Sequence, residues 1–376
     1  MKLSTADVVV IGGGLIGTAS AYYLAKMGLS VELVERNGIA SGTSSACADV
    51  LAHHTKAPGP KLLLATESIR MYHGLSQELD CDLEFRNDGS MVAALTEQEA
   101  EYLQGLVSKL QAAGVPAELL DSQTAREMQP ALTPKLVAAS YCPLDCHLNP
   151  LRVSSGFARS AARLGARVRA GTEVTGVDIQ GGRVVGVATS RGRIDSPMVV
   201  DAAGVWSPTI ARMAGLELSV LPRKGQILVT EAVPPMVRGR VITARYLMGK
   251  HAQGDYAAGV STGQALRGNF IIGSTREFAG FDTGHSFRGV SDLMKLTAEL
   301  LPPLAGVRLL RSFAGLRPAT PEGLPVIRKY PGAEGFVVAS GHEGDGICLA
   351  PVTGRIVADI VAGRVDDYTG FLATLH

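Results

Sequence analysis

A chain of 376 residues is long enough for two domains, or for one large core with an insertion. Apolar residues make up 46% and charged residues 19%, which excludes a disordered chain and predicts a well-packed globule. The 36 basic residues are balanced by 35 acidic ones, so charge gives no reason to expect a nucleic-acid partner.

Glycine, at 44 of 376 residues, stands well above the usual ~7% and points to tight turns or close backbone approaches to a ligand. The five cysteines are odd in number and scattered, unlike a secreted disulfide framework. Cys142-x3-Cys146-His147 has no matching second pair, so no metal is expected. No apolar run approaches the ~20 residues of a membrane span. Ala46-Cys47-Ala48 imitates a signal-peptidase site, but Glu32, Glu35 and Arg36 precede it. A cytoplasmic, reducing location is the expectation.

In chain order, Val8-Val9-Val10-Ile11 is a continuous apolar run, as a strand buried on both faces should be. Gly12-x-Gly14-Leu15-Ile16-Gly17 follows, then a helix-compatible run to Met27, a helix-ending Gly28, and a second apolar strand, Val31 to Val34, closed by Glu35-Arg36. Each glycine has a physical task. Gly12 makes the turn, Gly14 lets backbone N–H groups approach a pyrophosphate, and Gly17 lets the helix sit close on the sheet. The helix N-terminus adds partial positive charge, and an acid at the end of the second strand accepts bonds from ribose hydroxyls. This register of elements predicts a dinucleotide site but does not by itself separate NAD from FAD.

The next segment, Asn37 to Pro60, is long, small and polar, and does not continue as a direct third βα unit. Ser44 and Ser45 in it are candidate donors to phosphate or ribityl oxygens. "MVAALTEQEAEYLQGLVSKLQAAG" then reads as a strand turning into an amphipathic helix. Short strands with turns at Gly181-Gly182 and Arg191-Gly192 lead to a buried strand, Met198 to Asp201. Ala203 and Gly204 after it are small enough for the backbone to pass beside a cofactor. A helix is predicted to begin near Ser207-Pro208. "GQILVTEA" and "NFIIGST" alternate as strands, and the tail "SGHEGDGICLAPVTG" is a second glycine-rich turn before a helix.

Taken together, these stretches resemble the FAD-dependent D-amino-acid oxidase (DAO) family, which includes glycine oxidase, sarcosine oxidases, hydrogen cyanide synthase subunits, and D-hydroxyproline and opine dehydrogenases. The resemblance rests on the N-terminal fingerprint with Glu35-Arg36, "DAAGVWS", "PRKGQ", "GSTREFAGFD", "AGLRPATPEGLPVI" and "SGHEGDGICLAPVTG", and covers nearly the whole chain. It implies an α/β fold: a Rossmann-like FAD-binding domain of the glutathione-reductase-like type with an inserted mixed or antiparallel-sheet substrate domain of α+β character. The FAD-binding domain is expected to comprise 1–85, 148–221 and 311–376, and the substrate domain 86–147 and 222–310.

The resemblance also assigns roles. Val174 is placed where a backbone clamp on adenine is expected. The tail turn (Gly341, His342, Gly344, Asp345, Gly346, Ile347) would lie against the isoalloxazine ring, with a helix N-terminus stabilising the negative charge of reduced flavin by about 0.3–1 kcal/mol. Arg317 matches the arginine that binds the substrate carboxylate, a task suited to a planar fork of donors; a salt bridge to Glu322 is its plain structural alternative. Tyr246 falls where the family sets a tyrosine over the substrate, and His53 and His54 are candidates to face the ring. The side chains of Glu343 and Asp345 are expected to be solvated or structural. Cys47 and Asp49 depart from a glycine-rich stretch in many relatives.

The chemistry implied is oxidation of a C–N bond α to a carboxylate, by hydride transfer to flavin N5, leaving an imine that hydrolyses. The tail version looks most like β-subunits of heteromeric opine and hydroxyproline dehydrogenases, which work with a second subunit. Substrate choice stays open between D-hydroxyproline or D-proline, opines, and glycine or sarcosine, and oxidase is not separated from dehydrogenase. Two other classes compete: a nicotinamide-dependent dehydrogenase, which should lack the second glycine cradle, and a non-catalytic FAD-binding subunit, which has no use for Arg317.

Overall fold

Val8 to Ile11 are all buried although their side chains alternate in direction, because the strand they form is covered on both faces. Val8 and Val10 join one apolar cluster with the helices, while Val9 and Ile11 join another. In the computed structural model, which describes residues 2–249 and 254–375, this strand lies inside a six-stranded sheet. The order is Val326–Lys329, Phe336–Ser340, Val199–Asp201, Val8–Ile11, Val31–Val34 and Arg167–Arg169. All neighbours are parallel except the first pair. Helices Leu15–Lys26, Pro60–Glu78, Pro150–Arg163 and Gly346–Val361 contribute to the first cluster. A four-stranded sheet built around Val174–Gln180, Arg183–Thr189 and Gly192–Asp195 covers the opposite side through Val177, Val187 and Ile194.

A separate eight-stranded sheet runs Leu309–Ala319, Leu221–Ala232, Asn269–Glu277, Tyr256–Gln264, Arg240–Thr243, Ser90–Ala94, Ala138–Cys142 and Glu118–Asp121. It is mixed, its one parallel pairing being Arg240–Thr243 with Ser90–Ala94. Its own core includes Leu228, Phe270 and Ile272 packed with Leu293 and Leu300 of the helix Phe287–Leu300. Strand Ser90–Ala94 and helix Glu97–Ala112 realise the strand-then-helix pattern, with Thr96 capping the helix by accepting from the Glu99 N–H. Among the described residues no helix is long and apolar enough to cross a membrane.

The tail helix crosses the fingerprint helix at a glycine. A Cβ on Gly354 would lie 2.7 Å from the Tyr23 ring and 2.8 Å from the Ala19 carbonyl oxygen, so only hydrogen fits between the two backbones. That is the physical reason for the small-residue character of "LAPVTG".

At the end of Val199–Asp201, the Asp201 carboxylate is fully buried. Its Oδ1 accepts from the Ala203 N–H (3.0 Å) and the Ser207 hydroxyl (2.9 Å), while Oδ2 has no partner among the described residues. Burial pushes its pKa up to about 7, from 3.8. Below pH ~4 the group is neutral in both folded and unfolded chains. As pH rises toward 7 the unfolded chain ionises first, so stability is lost across that window, by up to about 4 kcal/mol, and levels off above it. Asp201→Asn is expected to flatten this slope in urea-unfolding midpoints taken between pH 4 and 8. Identical slopes in the two proteins would rule the effect out.

Candidate active site

The cleft begins where the parallel strands end, as open α/β sheets dictate. It has a volume of about 270 Å³ and is walled at one end by the fingerprint turn and at the other by the eight-stranded sheet.

At the first end, Gly12 adopts φ +108°, and a Cβ there would sit 2.6 Å from the Ala202 carbonyl oxygen. Gly17 does not line the cleft; it lies directly under the turn, where a Cβ would come within 1.8 Å of the Gly12 carbonyl oxygen. Helix Leu15–Lys26 has no side-chain cap from its own N-cap residue, Gly14; instead the Leu15 N–H donates to Ser44 Oγ at 2.9 Å. Gly12, Gly14, Leu15, Ile16 and Ser44 all line the cleft. Ser45 does not: it is exposed, and its hydroxyl donates to the Gly42 carbonyl at 3.0 Å.

Glu35 reaches back over the turn, accepting from the Gly13 N–H through Oε2 and the Asn37 N–H through Oε1, each at 2.7 Å. Arg36 lies 4.2 Å from the Trp206 ring centroid. Both line the cleft, as do Val174, Ala203 and Gly204.

At the other end, His342, Gly344, Gly346 and Ile347 of the tail turn face the cleft together with Ala46 and Cys47. His342 is buried, its Nε2 lies 3.1 Å from Thr353 Oγ1, and its pKa falls to about 3, first through burial and then through nearby Lys61. It therefore stays neutral. Helix Gly346–Val361 also starts without a side-chain cap, leaving its first N–H groups available to an acceptor. Gly341 sits behind the turn at φ +80°, where a Cβ would lie 2.4 Å from Thr320 Cγ2.

Asp345 and Glu343 differ from the expectation of solvated or purely structural acids. Asp345 is buried and lies outside the cleft wall, tied to Lys56 Nζ (3.2 Å) and Lys61 Nζ (3.4 Å). Burial alone would lower the Lys56 ammonium pKa, but the Asp345 carboxylate overrides it and raises it. Glu343 lines the cleft at φ +48°, between Arg223 (4.0 Å) and Arg276 (3.8 Å).

Arg317 projects from strand Leu309–Ala319 into the cleft. It does not pair with Glu322. Its guanidinium donates to Ser274 Oγ (2.5 Å) and the Thr275 carbonyl (3.1 Å), with a longer contact to the Lys224 carbonyl (3.4 Å). Gly225 makes room, since a Cβ there would lie 2.1 Å from an Arg317 terminal nitrogen. Burial lowers the Arg317 pKa and Glu343 opposes that shift. Tyr246 also lines the cleft, its ring centroid 4.4 Å from the Arg276 guanidinium.

The histidine pair is not brought to the cleft. His54 is fully buried, with Nδ1 3.2 Å from Ser90 Oγ and Nε2 2.7 Å from Ser140 Oγ, and burial lowers its pKa. His53 is held by Asp145, through its N–H at 2.7 Å and its Nδ1 at 3.2 Å. Both histidines are structural in this geometry. Cys47 does border the cleft, its thiol pushed up to about 12 by burial and by Asp49. Asp49 turns away to form a buried ion pair with Arg240, which also donates to Ser261 Oγ (2.9 Å). Residues that pattern reading left without a role are Arg223, Arg276 and Lys56. The first two stand inside "PRKGQ" and "GSTREFAGFD", where only strand pairing shows that they meet.

Two glycine cradles at opposite ends of one cleft, a strand-end carboxylate and an arginine beside the second cradle define a flavin-dinucleotide oxidoreductase. The residues present suit FAD. Gly12, Gly14 and Glu35 would hold the adenosine diphosphate end, and His342 to Ile347 the ring. The chain belongs to the DAO family of FAD-dependent oxidoreductases, whose sequence profile it matches over residues 7–360. It is 32% identical to a glycine oxidase of Geobacillus kaustophilus, covering 98% of this chain and 97% of that one. A hydrogen cyanide synthase subunit of Pseudomonas aeruginosa is 28% identical over 95% of this chain and 92% of its own length. Among solved structures, the glycine oxidase of Bacillus cereus superposes with a TM-score of 0.88 at 27% identity, covering 97% of both chains. The L-proline dehydrogenase of P. horikoshii does so with a TM-score of 0.88 at 25% identity, covering 96% of this chain and 94% of that one.

Proposed function

We propose that the protein oxidises the C–N bond of an amino acid or N-substituted amino acid of the D-hydroxyproline, D-proline or opine class, giving an imine that water hydrolyses. The observation that carries this is Arg317, a guanidinium fixed by Ser274 and Thr275 on the wall of the cleft beside the second cradle. A buried cation in a ligand cleft asks for an anion, and a fork of donors matches a carboxylate. FAD, when bound, supplies a hydride acceptor at N5. The chain's own residues orient and exclude. Arg317 holds the carboxylate, Tyr246 and Ile227 wall the substrate in, and the tail turn faces the ring. No side chain is assigned as an obligatory base, and His342, with its pKa near 3, holds no proton to give at neutral pH.

We further read the chain as the catalytic β-subunit of a heteromeric dehydrogenase. The similar hydrogen cyanide synthase chain is itself named a subunit, and Phe278, Phe281 and Phe287 are 50%, 55% and 89% exposed here. The identity to glycine oxidases favours the alternative, a glycine- or sarcosine-type amino acid oxidation. A non-catalytic FAD-binding subunit leaves Arg317 unused.

The deciding experiment is the anaerobic visible spectrum of the FAD-loaded protein, alone and with a second subunit where one co-purifies. The added amines are D-proline, cis-4-hydroxy-D-proline, opines, glycine and sarcosine. Bleaching by the first three groups is expected. Bleaching by glycine or sarcosine alone transfers the reading to the alternative, and none at all sinks both. Admitting air then separates oxidase from dehydrogenase.

A further inference from the structure

Three arginines share one face of the eight-stranded sheet over the cleft. Arg223 and Arg317 are direct partners in the antiparallel pairing of Leu221–Ala232 with Leu309–Ala319. Arg276 lies on the strand at the other side of Leu221–Ala232, where Lys224 pairs with Glu277. Lys224 and Glu277 point to the opposite face, where Lys224 is neutralised by Glu277 (3.5 Å) and Asp282 (2.9 Å). By alternation along the strands, Arg276 falls on the same face as Arg223 and Arg317.

Like charges directly opposite one another cost stability, so such an arrangement calls for an anion. Among the described residues, Glu343 is the carboxylate within ion-pair reach of Arg223 and Arg276, and it is shared between them at 4.0 and 3.8 Å. Arg276 is 3% exposed, and its Nε has no hydrogen-bond partner among the described residues. The side chains touching it, Tyr246 and Glu343, both line the cleft. Three guanidinium charges against one carboxylate leave two positive charges. One substrate carboxylate on Arg317 neutralises only one of them.

We propose that the cleft is shaped for an amine carrying two carboxylates, with Arg317 taking the one on the carbon to be oxidised and Arg276, aided by Arg223, taking the other. This deepens the amine-oxidation reading and rests on it. The second carboxylate enters beside Glu343, whose turn already holds it close to both arginines. Specificity then comes from charge count: a monocarboxylate leaves Arg276 short of a partner in a dry site, whereas a dicarboxylate completes it.

The test separates binding from turnover. Perturbation of the flavin spectrum by acetate, propionate and butyrate is compared with that by malonate, succinate and glutarate, in the FAD-loaded protein and in Arg276→Gln and Arg276→Lys. The best dicarboxylate is expected to bind at least ~10-fold tighter than its monocarboxylate counterpart, roughly the span of one well-desolvated charge pair. Arg276→Gln should bring that ratio close to one, and Arg276→Lys should restore part of it. Should Arg276→Gln fail to retain flavin, Arg223→Gln carries the same comparison. Equal affinities in the parent protein, or a ratio unmoved by these variants, overturn the proposal. Oxidation of sarcosine without any dicarboxylate preference overturns this inference alone. Tight dicarboxylate binding without oxidation of any amine overturns the function it rests on.

Discussion

Arg317→Met is expected to lower kcat/KM for the best amine by about 10²–10⁴-fold, the equivalent of the ~3–5 kcal/mol lost when one partner of a buried ion pair is removed. The same change should not unfold the protein. The side chain's hydrogen bonds go to one hydroxyl and to backbone carbonyls, and its removal relieves the repulsion with Arg223 across the strand pair. A thermal midpoint equal to or above that of the parent, together with collapsed turnover, is the signature of a group kept for function at some cost in stability. Arg317→Lys should recover little, since an ammonium keeps the charge and loses the fork. Near-parental kcat/KM in Arg317→Met would move the carboxylate-binding task to Arg223 or Arg276.

Gly17→Ala is expected to cost more than ~3 kcal/mol, the upper end of ordinary overpacking, and to abolish flavin retention. A Cβ there has nowhere to go, because the obstacle at 1.8 Å is the backbone oxygen of Gly12 rather than a flexible side chain. The helix would have to lift from the turn whose N–H groups face the cleft. Gly28→Ala is the control. It also sits on the fingerprint unit, at φ +86°, but nothing lies within 4 Å of its Cβ position. It should lose only the ~1–2 kcal/mol of a left-handed conformation and keep its flavin. Urea midpoints and bound-flavin absorbance read both, and similar behaviour of the two variants would remove close packing as the explanation.

The parts legible in the chain were those whose physics is local. Val8–Ile11, the glycine turn, Leu15–Lys26 and Val31–Val34 follow one another without interruption, so each residue's task can be read from its neighbours. The alternating strand 221–232 and the strand-then-helix at 90–112 are legible for the same reason. Residues whose setting is made by distant segments were not. His54 looks like a ring neighbour until Ser90 and Ser140, 36 and 86 positions away, take both its nitrogens. Asp345 looks solvated until Lys56 and Lys61 arrive from another loop. The meeting of Arg223, Arg276 and Arg317 depends on the register of three strands, and no spacing rule within the chain encodes it.

The contact of Gly354 with Ala19 has a mechanical meaning. The two helices whose N-termini face opposite ends of the cleft are pinned to each other by a backbone crossing that leaves no room for slack. The span between the cradles is therefore set like the jaws of a caliper locked at its pivot, at a point that touches no ligand. Cofactor length is gauged by helix geometry, and the lining side chains are left free to vary with the substrate.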